Sequence, residues 1–252
     1  MLSRMKPPAP PVPQPLDAEA FATRLRAVGS HYHDRHPFHE RMNAGTLSPE
    51  ALKTWAVNRY YYQRSIPLKD AAILSNIPER EVRRRWVQRI VDHDGDRPGT
   101  GGIEAWLRLC QAVGATREET MSEKLVLPGV RFAVDAYLTL ARTRPWIEAV
   151  ASSLTELFAP ALMGKRLAAF ETHYKWVEPE GLAYFRARLT QAKNDSDYAL
   201  PLVLERAVTR EQQEGCIEAL ERKCDILWVQ LEAIEAACRG GATCATAAKP
   251  AR

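Results

Sequence analysis

Apolar positions in this chain recur at helical spacing from residue 17 almost to residue 238. Asp17 is placed to cap a helix carrying Phe21, Leu25 and Val28, which ends ahead of Tyr32 and His33; His36, Pro37 and His39 then form a loop or a fresh helix start. Ser48, Pro49 and Glu50 supply a capping side chain, a proline at the first helical position and a carboxylate at the positive end of the dipole. The helix that follows has an inward stripe of Leu52, Trp55, Ala56, Arg59, Tyr62, Gln63 and Ile66, and Pro67 predicts a kink or a restart into Lys69. Val82, Trp86 and Ile90 form the next stripe, whose continuation falls on His93 before Asp94 and Gly95 end the helix. After a turn through Pro98, Gly101 and Gly102 the pattern resumes with Ile103, Trp106, Leu107 and Leu109.

Further along, Thr116 and Glu119 read as a capping box, and Pro128 opens a helix carrying Phe132, Tyr137 and Leu140. Helical patterns continue over 145–158, 160–170, about 179–192 and about 209–238. The last has Ile217, Leu220, Leu227, Leu231 and Ile234 on its inner stripe, with Lys223 on the flank. No stretch alternates like a strand between turn signals, residues 125–127 being only a short ambiguous run. The expected fold is all-α, a compact helical bundle forming a single domain over 16–239. A proline-rich arm over 1–15 and a small, polar tail over 240–252 are expected to be disordered.

Composition narrows the function classes. With 46% apolar and 26% charged residues in 252, the chain can bury a large core. Thirty-five basic against 31 acidic residues leave a net charge of only +4, which argues against a dedicated nucleic-acid surface. The five cysteines, with no Cys-x-x-Cys pair, fit a reducing setting. No segment has the length and apolarity of a signal peptide core or a membrane span, so a cytoplasmic protein without a membrane partner is expected.

The informative residues are polar ones on or beside apolar stripes: Arg59, Tyr62, Gln63, Arg89, His93, Tyr137, Tyr184, Arg188 and Lys223. Arg89 with His93, and Tyr184 with Arg188, are spaced i, i+4 and so project from one helix face. Each alone is compatible with a satisfied core residue or a snorkelling stem. Together they are harder to place, because an uncompensated buried cation costs several kcal/mol and too few acids share those faces. Four cations with phenols and an imidazole therefore point to a cavity that receives an anion, and guanidinium forks suit carboxylates. A di-iron site would require Glu-x-x-His pairs, which are absent, and Asp92, His93 and Asp94 point in different directions along a helix, so no metal is expected. Cys216 and Cys224 have no histidine near them in sequence to activate a thiol.

Several blocks in order, NRYYYQRSIPLKDAAIL (58–74), RIVDHDGD with GGIEAWLRL (89–109), RFAVDAYL (131–138), SSLTELFAP (152–160), YFRARLTQA (184–192) and KCDILW (223–228), closely resemble the pyrroloquinoline quinone (PQQ) synthase family, PqqC. The likeness covers about residues 17–238. It implies a haem-oxygenase-like and thiaminase-like helical fold assembled as a homodimer. It also implies ring closure and O2-dependent oxidation of a reduced, polycarboxylated quinoline precursor (AHQQ) to PQQ, with release of H2O2. In that family no metal or organic cofactor is required, because the substrate supplies the electrons. The matched positions imply His93, Tyr184, Arg188 and Lys223 as catalytic groups, and Tyr32, His33, Arg59, Tyr62, Gln63, Arg89, Tyr137 and Arg166 as substrate-binding groups. Some family members carry a second histidine shortly after the SSLTELFAP block; this chain has Met163 there, which cannot transfer a proton. Three other readings stand beside this one: a thiaminase-like hydrolase with an activated cysteine, a metal-dependent oxygenase, and a non-catalytic PQQ carrier.

Overall fold

The computed structural model describes residues 13–239. The expected arm over 1–15, apart from its last three residues, and the expected tail over 240–252 lie outside the described residues. Within them the chain is built from helices alone: α1 (Ala18–Ala27), α2 (Pro37–Asn43), α3 (Pro49–Asn76), α4 (Arg80–Asp94), α5 (Gly101–Ala112), α6 (Arg117–Met121), α7 (Pro128–Thr143), α8 (Trp146–Ala151), α9 (Ala159–His173), α10 (Ala183–Arg206) and α11 (Arg210–Arg239), with short 3-10 turns between some of them. No helix of the described residues is long and apolar enough to cross a membrane.

The start signals work as their chemistry requires. The Asp17 carboxylate accepts from the Ala20 N–H, and Ser48 Oγ accepts from Ala51 N–H at 3.2 Å. The capping box is complete: Glu119 N–H donates to Thr116 Oγ1 at 3.0 Å, and Thr116 N–H donates to Glu119 Oε2 at 2.8 Å. His36 itself opens α2, its Nδ1 accepting from Phe38 N–H at 3.1 Å.

Four expectations about elements change. Pro67 neither ends nor restarts α3, which runs through it as one 28-residue helix. α3 is buried on nearly every side, against α4, α5 and α7, and that packing outweighs the roughly 3 kcal/mol a mid-helix proline costs. Residues 145–158 divide into α8 and a 3-10 turn, Ser152–Leu157. The pattern near 179 begins as a 3-10 turn, Pro179–Leu182, and then extends as α10 to Arg206, through Pro201. Phe132 is 76% exposed rather than buried, because the inward stripe of α7 is Val130, Val134, Tyr137 and Ala141, and Phe132 stands about 200° from Val130.

α11 lies against α7, α8 and the 152–157 turn, and that turn also meets α10. The polar residues on α3, α4, α7, α10 and α11 are thereby brought towards one interior volume. The α4–α5 junction is held by two glycines in the left-handed region, Gly95 (φ 85°) and Gly101 (φ 87°). A Cβ on Gly101 would stand 2.6 Å from the carbonyl oxygen of His93, so the turn that ends α4 tolerates no side chain there.

Candidate active site

Between α3, α4, α7, α9, α10 and the 152–157 turn lies a cavity of about 60 Å³. Of the expected site residues, Tyr32, Arg59, Tyr62, Gln63, Arg89, His93, Tyr137, Arg166, Tyr184 and Arg188 line it, joined by Lys69, Glu156 and Met163. His33 and Lys223 do not reach the lining. His33 is buried behind Tyr32, edge-on at 4.4 Å between centroids, with neither ring nitrogen hydrogen-bonded. Lys223 stands behind two phenols: its Nζ donates to Tyr62 Oη at 2.6 Å and sits 3.4 Å from the Tyr137 ring centroid and 4.2 Å from that of Tyr62. The Tyr62 and Tyr137 rings are parallel, 6.3 Å apart.

One half of the site is charge-compensated, contrary to the expectation of too few acids. Arg89 donates to both Glu156 oxygens at 2.8 and 2.6 Å and to Asp70 at 3.2 Å, and reaches Asp195 at 3.2 Å. Arg188 spans the same two carboxyls, 3.3 Å from Glu156 and 3.4 Å from Asp195. Lys69 donates to Asp70 at 2.6 Å and to Ser153 Oγ at 3.2 Å. Burial alone would raise the Glu156 carboxyl, but Arg89 and Arg188 outweigh it and hold the group at about 2. Asp195 goes the other way: burial and the Glu156 charge beside it push its carboxyl up to about 7.

The other half is not compensated. Among the described residues no carboxylate pairs with Arg59, Arg166 or Lys223. Arg59 donates to Gln230 Oε1 at 3.0 Å and lies 3.9 Å over the Tyr62 ring; Arg166 bonds His39 Nε2 at 2.6 Å and lies 5.3 Å over Trp55. The Nε–H groups of both arginines are buried with no partner. Burial and the neighbouring Arg59 bring Arg166 down to about 9 and take Lys223 well below the ordinary lysine value. Cations in this state gain most from an arriving anion.

His93 sits where these halves meet. Its Nδ1 lies 3.1 Å from the Arg89 carbonyl oxygen, which can only accept, so Nδ1 carries the proton and Nε2 keeps its lone pair. Burial, with Arg188 nearby, lowers the ring to about 4, leaving it neutral at physiological pH. A Cβ placed on Gly102 would lie 3.5 Å from both His93 Cδ2 and Tyr184 Cε2, so imidazole and phenol converge on the start of α5. Tyr184 Oη donates to Gln63 Oε1 at 2.9 Å. The arrangement supplies an uncharged base beside donors and cations able to stabilise developing negative charge. No cysteine is among the cavity-lining residues, and burial pushes the Cys110, Cys216 and Cys224 thiols up to about 12, far from the activated state a nucleophile needs.

Sequence reasoning missed Lys69, Asp70, Glu156, Asp195, His39 and Gln230. Lys69 and Asp70 fall just after Pro67, where the predicted kink or restart interrupts the stripe, and Asp195 lies beyond the helical pattern expected to end near 192. For Gln230 a signal existed: it falls three residues after Leu227 and four before Ile234, on the inner stripe of α11.

Comparison with known proteins adds the following. Residues 22–233 match the model of the TENA/THI-4/PQQC family. Proteins named pyrroloquinoline-quinone synthase from Pseudomonas aeruginosa and Cronobacter sakazakii are each 53% identical, over 88% of this chain and 89% of the relative in the first case and 87% of each in the second. One of that name from Acinetobacter baumannii is 50% identical over 88% of each chain. Among solved structures, a domain of unknown function with a haem oxygenase-like fold from Shewanella denitrificans superposes with a TM-score of 0.74, at 13% identity, covering 92% of this chain and 99% of that one. A TenA homologue protein from P. horikoshii gives 0.68 at 14% identity, covering 90% of this chain and 100% of that one. At such identities these structures share the fold, which is the haem-oxygenase-like one expected.

Proposed function

The chain belongs to the TENA/THI-4/PQQC family, and from that premise we propose that it is the enzyme that carries out ring closure of a reduced, polycarboxylated quinoline precursor, AHQQ, and oxidises it with O2 to pyrroloquinoline quinone. A role as an enzyme of PQQ biosynthesis follows from relatives of that name at 50–53% identity over most of both chains. The observation that carries the chemistry is the pair of electrostatic halves: Arg59 and Arg166 on the cavity wall, with Lys223 behind Tyr62, have no acidic partners among the described residues and complement carboxylates, while neutral His93 lines the same cavity.

In each oxidative step two electrons and two protons leave the substrate and reduce O2 to H2O2. His93 Nε2 accepts a proton from a ring carbon and returns it to the reduced oxygen species, while Arg188 and Tyr184 stabilise the negative charge that develops. The substrate supplies the electrons, so the reaction runs without metal or organic cofactor. The protein works as a homodimer in the cytoplasm, with no nucleic-acid or membrane partner.

The test is oxygen consumption by metal-free protein given the reduced precursor, followed by quinone absorbance. Wild type should turn over, and His93→Ala should bind PQQ while losing at least a hundredfold in rate. A second reading has one observation in its favour: Met163 lines the cavity where some relatives are expected to carry histidine. On that reading the protein is a PQQ carrier, and wild type would bind PQQ yet consume no oxygen.

A further inference from the structure

We propose that His39 and Gln230 are positioning residues that hold the two anion-receiving guanidinium groups, Arg166 and Arg59, while leaving their positive charge uncancelled. This rests on the reading of the site as one that takes a polycarboxylate.

The two are built alike, though they come from different elements. Gln230 on α11 donates through its Nε2 to the Ile226 carbonyl at 3.2 Å, which leaves Oε1 to accept from Arg59 Nη1 at 3.0 Å. His39 on α2 has its Nδ1 2.9 Å from the His33 carbonyl oxygen, so that nitrogen must carry the hydrogen and Nε2 must accept from Arg166 Nη2 at 2.6 Å. In each case a backbone carbonyl, which can only accept, fixes the flip or tautomer that turns a lone pair towards the arginine. Reversing either would set donor against donor. Burial and Arg166 keep His39 well below the ordinary histidine value, so it stays neutral. His39 and Gln230 are 1% exposed, so neither is replaceable by bulk water.

The contrast with the rest of the site gives this its meaning. Arg89 and Arg188 share the ionised Glu156, Arg89 also meets Asp70, and Asp195 bonds both arginines, so this half leaves less field for a ligand. An acid at position 39 or 230 would orient the arginine equally well and destroy its attraction for a carboxylate. Neutral acceptors give the geometry of a salt bridge without its neutralisation. The cost is a pair of under-compensated buried cations, so folding stability and ligand affinity are set against each other at these two positions.

That opposition is what the experiment reads. Gln230→Glu keeps the length and the acceptor towards Arg59, adds charge, and exchanges the N–H given to the Ile226 carbonyl for an oxygen. It is expected to melt at the same temperature as wild type or higher, yet to bind PQQ at least tenfold more weakly by fluorescence titration. Gln230→Met, which removes the acceptor without adding charge, is expected to lose less affinity than Gln230→Glu. His39→Gln, which keeps a neutral acceptor near the Nε2 position, should bind close to wild type, and His39→Glu should not. A folded Gln230→Glu that binds within twofold of wild type overturns the proposal, as does a Gln230→Met that loses as much as Gln230→Glu, since orientation alone would then explain the effect. Should Gln230→Glu fail to fold, His39→Glu against His39→Gln decides by the same comparison. Benzene-1,2,4-tricarboxylate is titrated in parallel. If wild type binds it but not PQQ, the substrate reading fails and the variants are judged on the tricarboxylate; if wild type binds neither, both readings fail.

Discussion

His93 and Asp195 titrate in opposite senses over the same pH range. Folded His93 stays neutral down to about 4, whereas an unfolded histidine takes its proton near 6.5. Between those values the unfolded state binds more protons, so the stability His93 confers is lost as pH falls. Asp195 keeps its proton up to about 7 when folded and releases it near 3.8 when unfolded, so its contribution is lost as pH rises. Each group imposes a slope of up to about 1.4 kcal/mol per pH unit, and the two oppose. Asp195→Asn removes only the second, so its urea midpoint should climb more steeply than that of wild type between pH 4 and 7; parallel profiles would mean that Asp195 is ionised throughout. Lys223 and Arg166 make a separate prediction. Both are lowered by burial, Arg166 to about 9, and a bound carboxylate raises them again, so near that pH PQQ binding should take up protons, and it should weaken as pH rises further. Calorimetry in buffers of different ionisation enthalpy measures that uptake directly.

Among the elements, the short α6 is the one whose existence rests most on its cap. Thr116→Ala removes one half of the capping box and should cost about 1 kcal/mol of stability. Turnover should be unchanged, because α6 contributes no residue to the cavity. Caps of this kind are why so much of the helical order is legible in sequence: a hydroxyl or carboxylate followed by a proline or glutamate at fixed spacing acts locally, whatever the tertiary context. Arg59, Gln63 and His93 were legible for a related reason, as polar groups interrupting apolar stripes. What stayed hidden depends on contacts between distant elements. Glu156 belongs to a 3-10 turn with no periodicity to interrupt, and Asp195 turns inward only because Arg89, more than a hundred residues away, meets it there. The same holds for Lys223, whose flank position on α11 predicts burial correctly but not the two phenol rings that separate it from the cavity.

For the molecule as a whole, the size of the cavity sets how a ligand gets in. About 60 Å³ accommodates a few water molecules at most, far less than a multi-ring polycarboxylate occupies. Side chains or helices around it must therefore shift before the ligand is seated. Association of PQQ should accordingly be limited by that rearrangement, and stopped-flow rates should level off at high ligand concentration. Rates that rise linearly without limit would mean that the site is already open. The α4–α5 junction bears on how such a protein responds to mutation across its full length. His93 is aimed by a turn in which Gly95 and Gly101 leave no space for a methyl group, so the site depends on two positions that carry no functional group at all. In a survey of every single substitution, some of the deepest losses of activity should fall on these two glycines, and a scan confined to replacing side chains by alanine for their chemistry would pass over them.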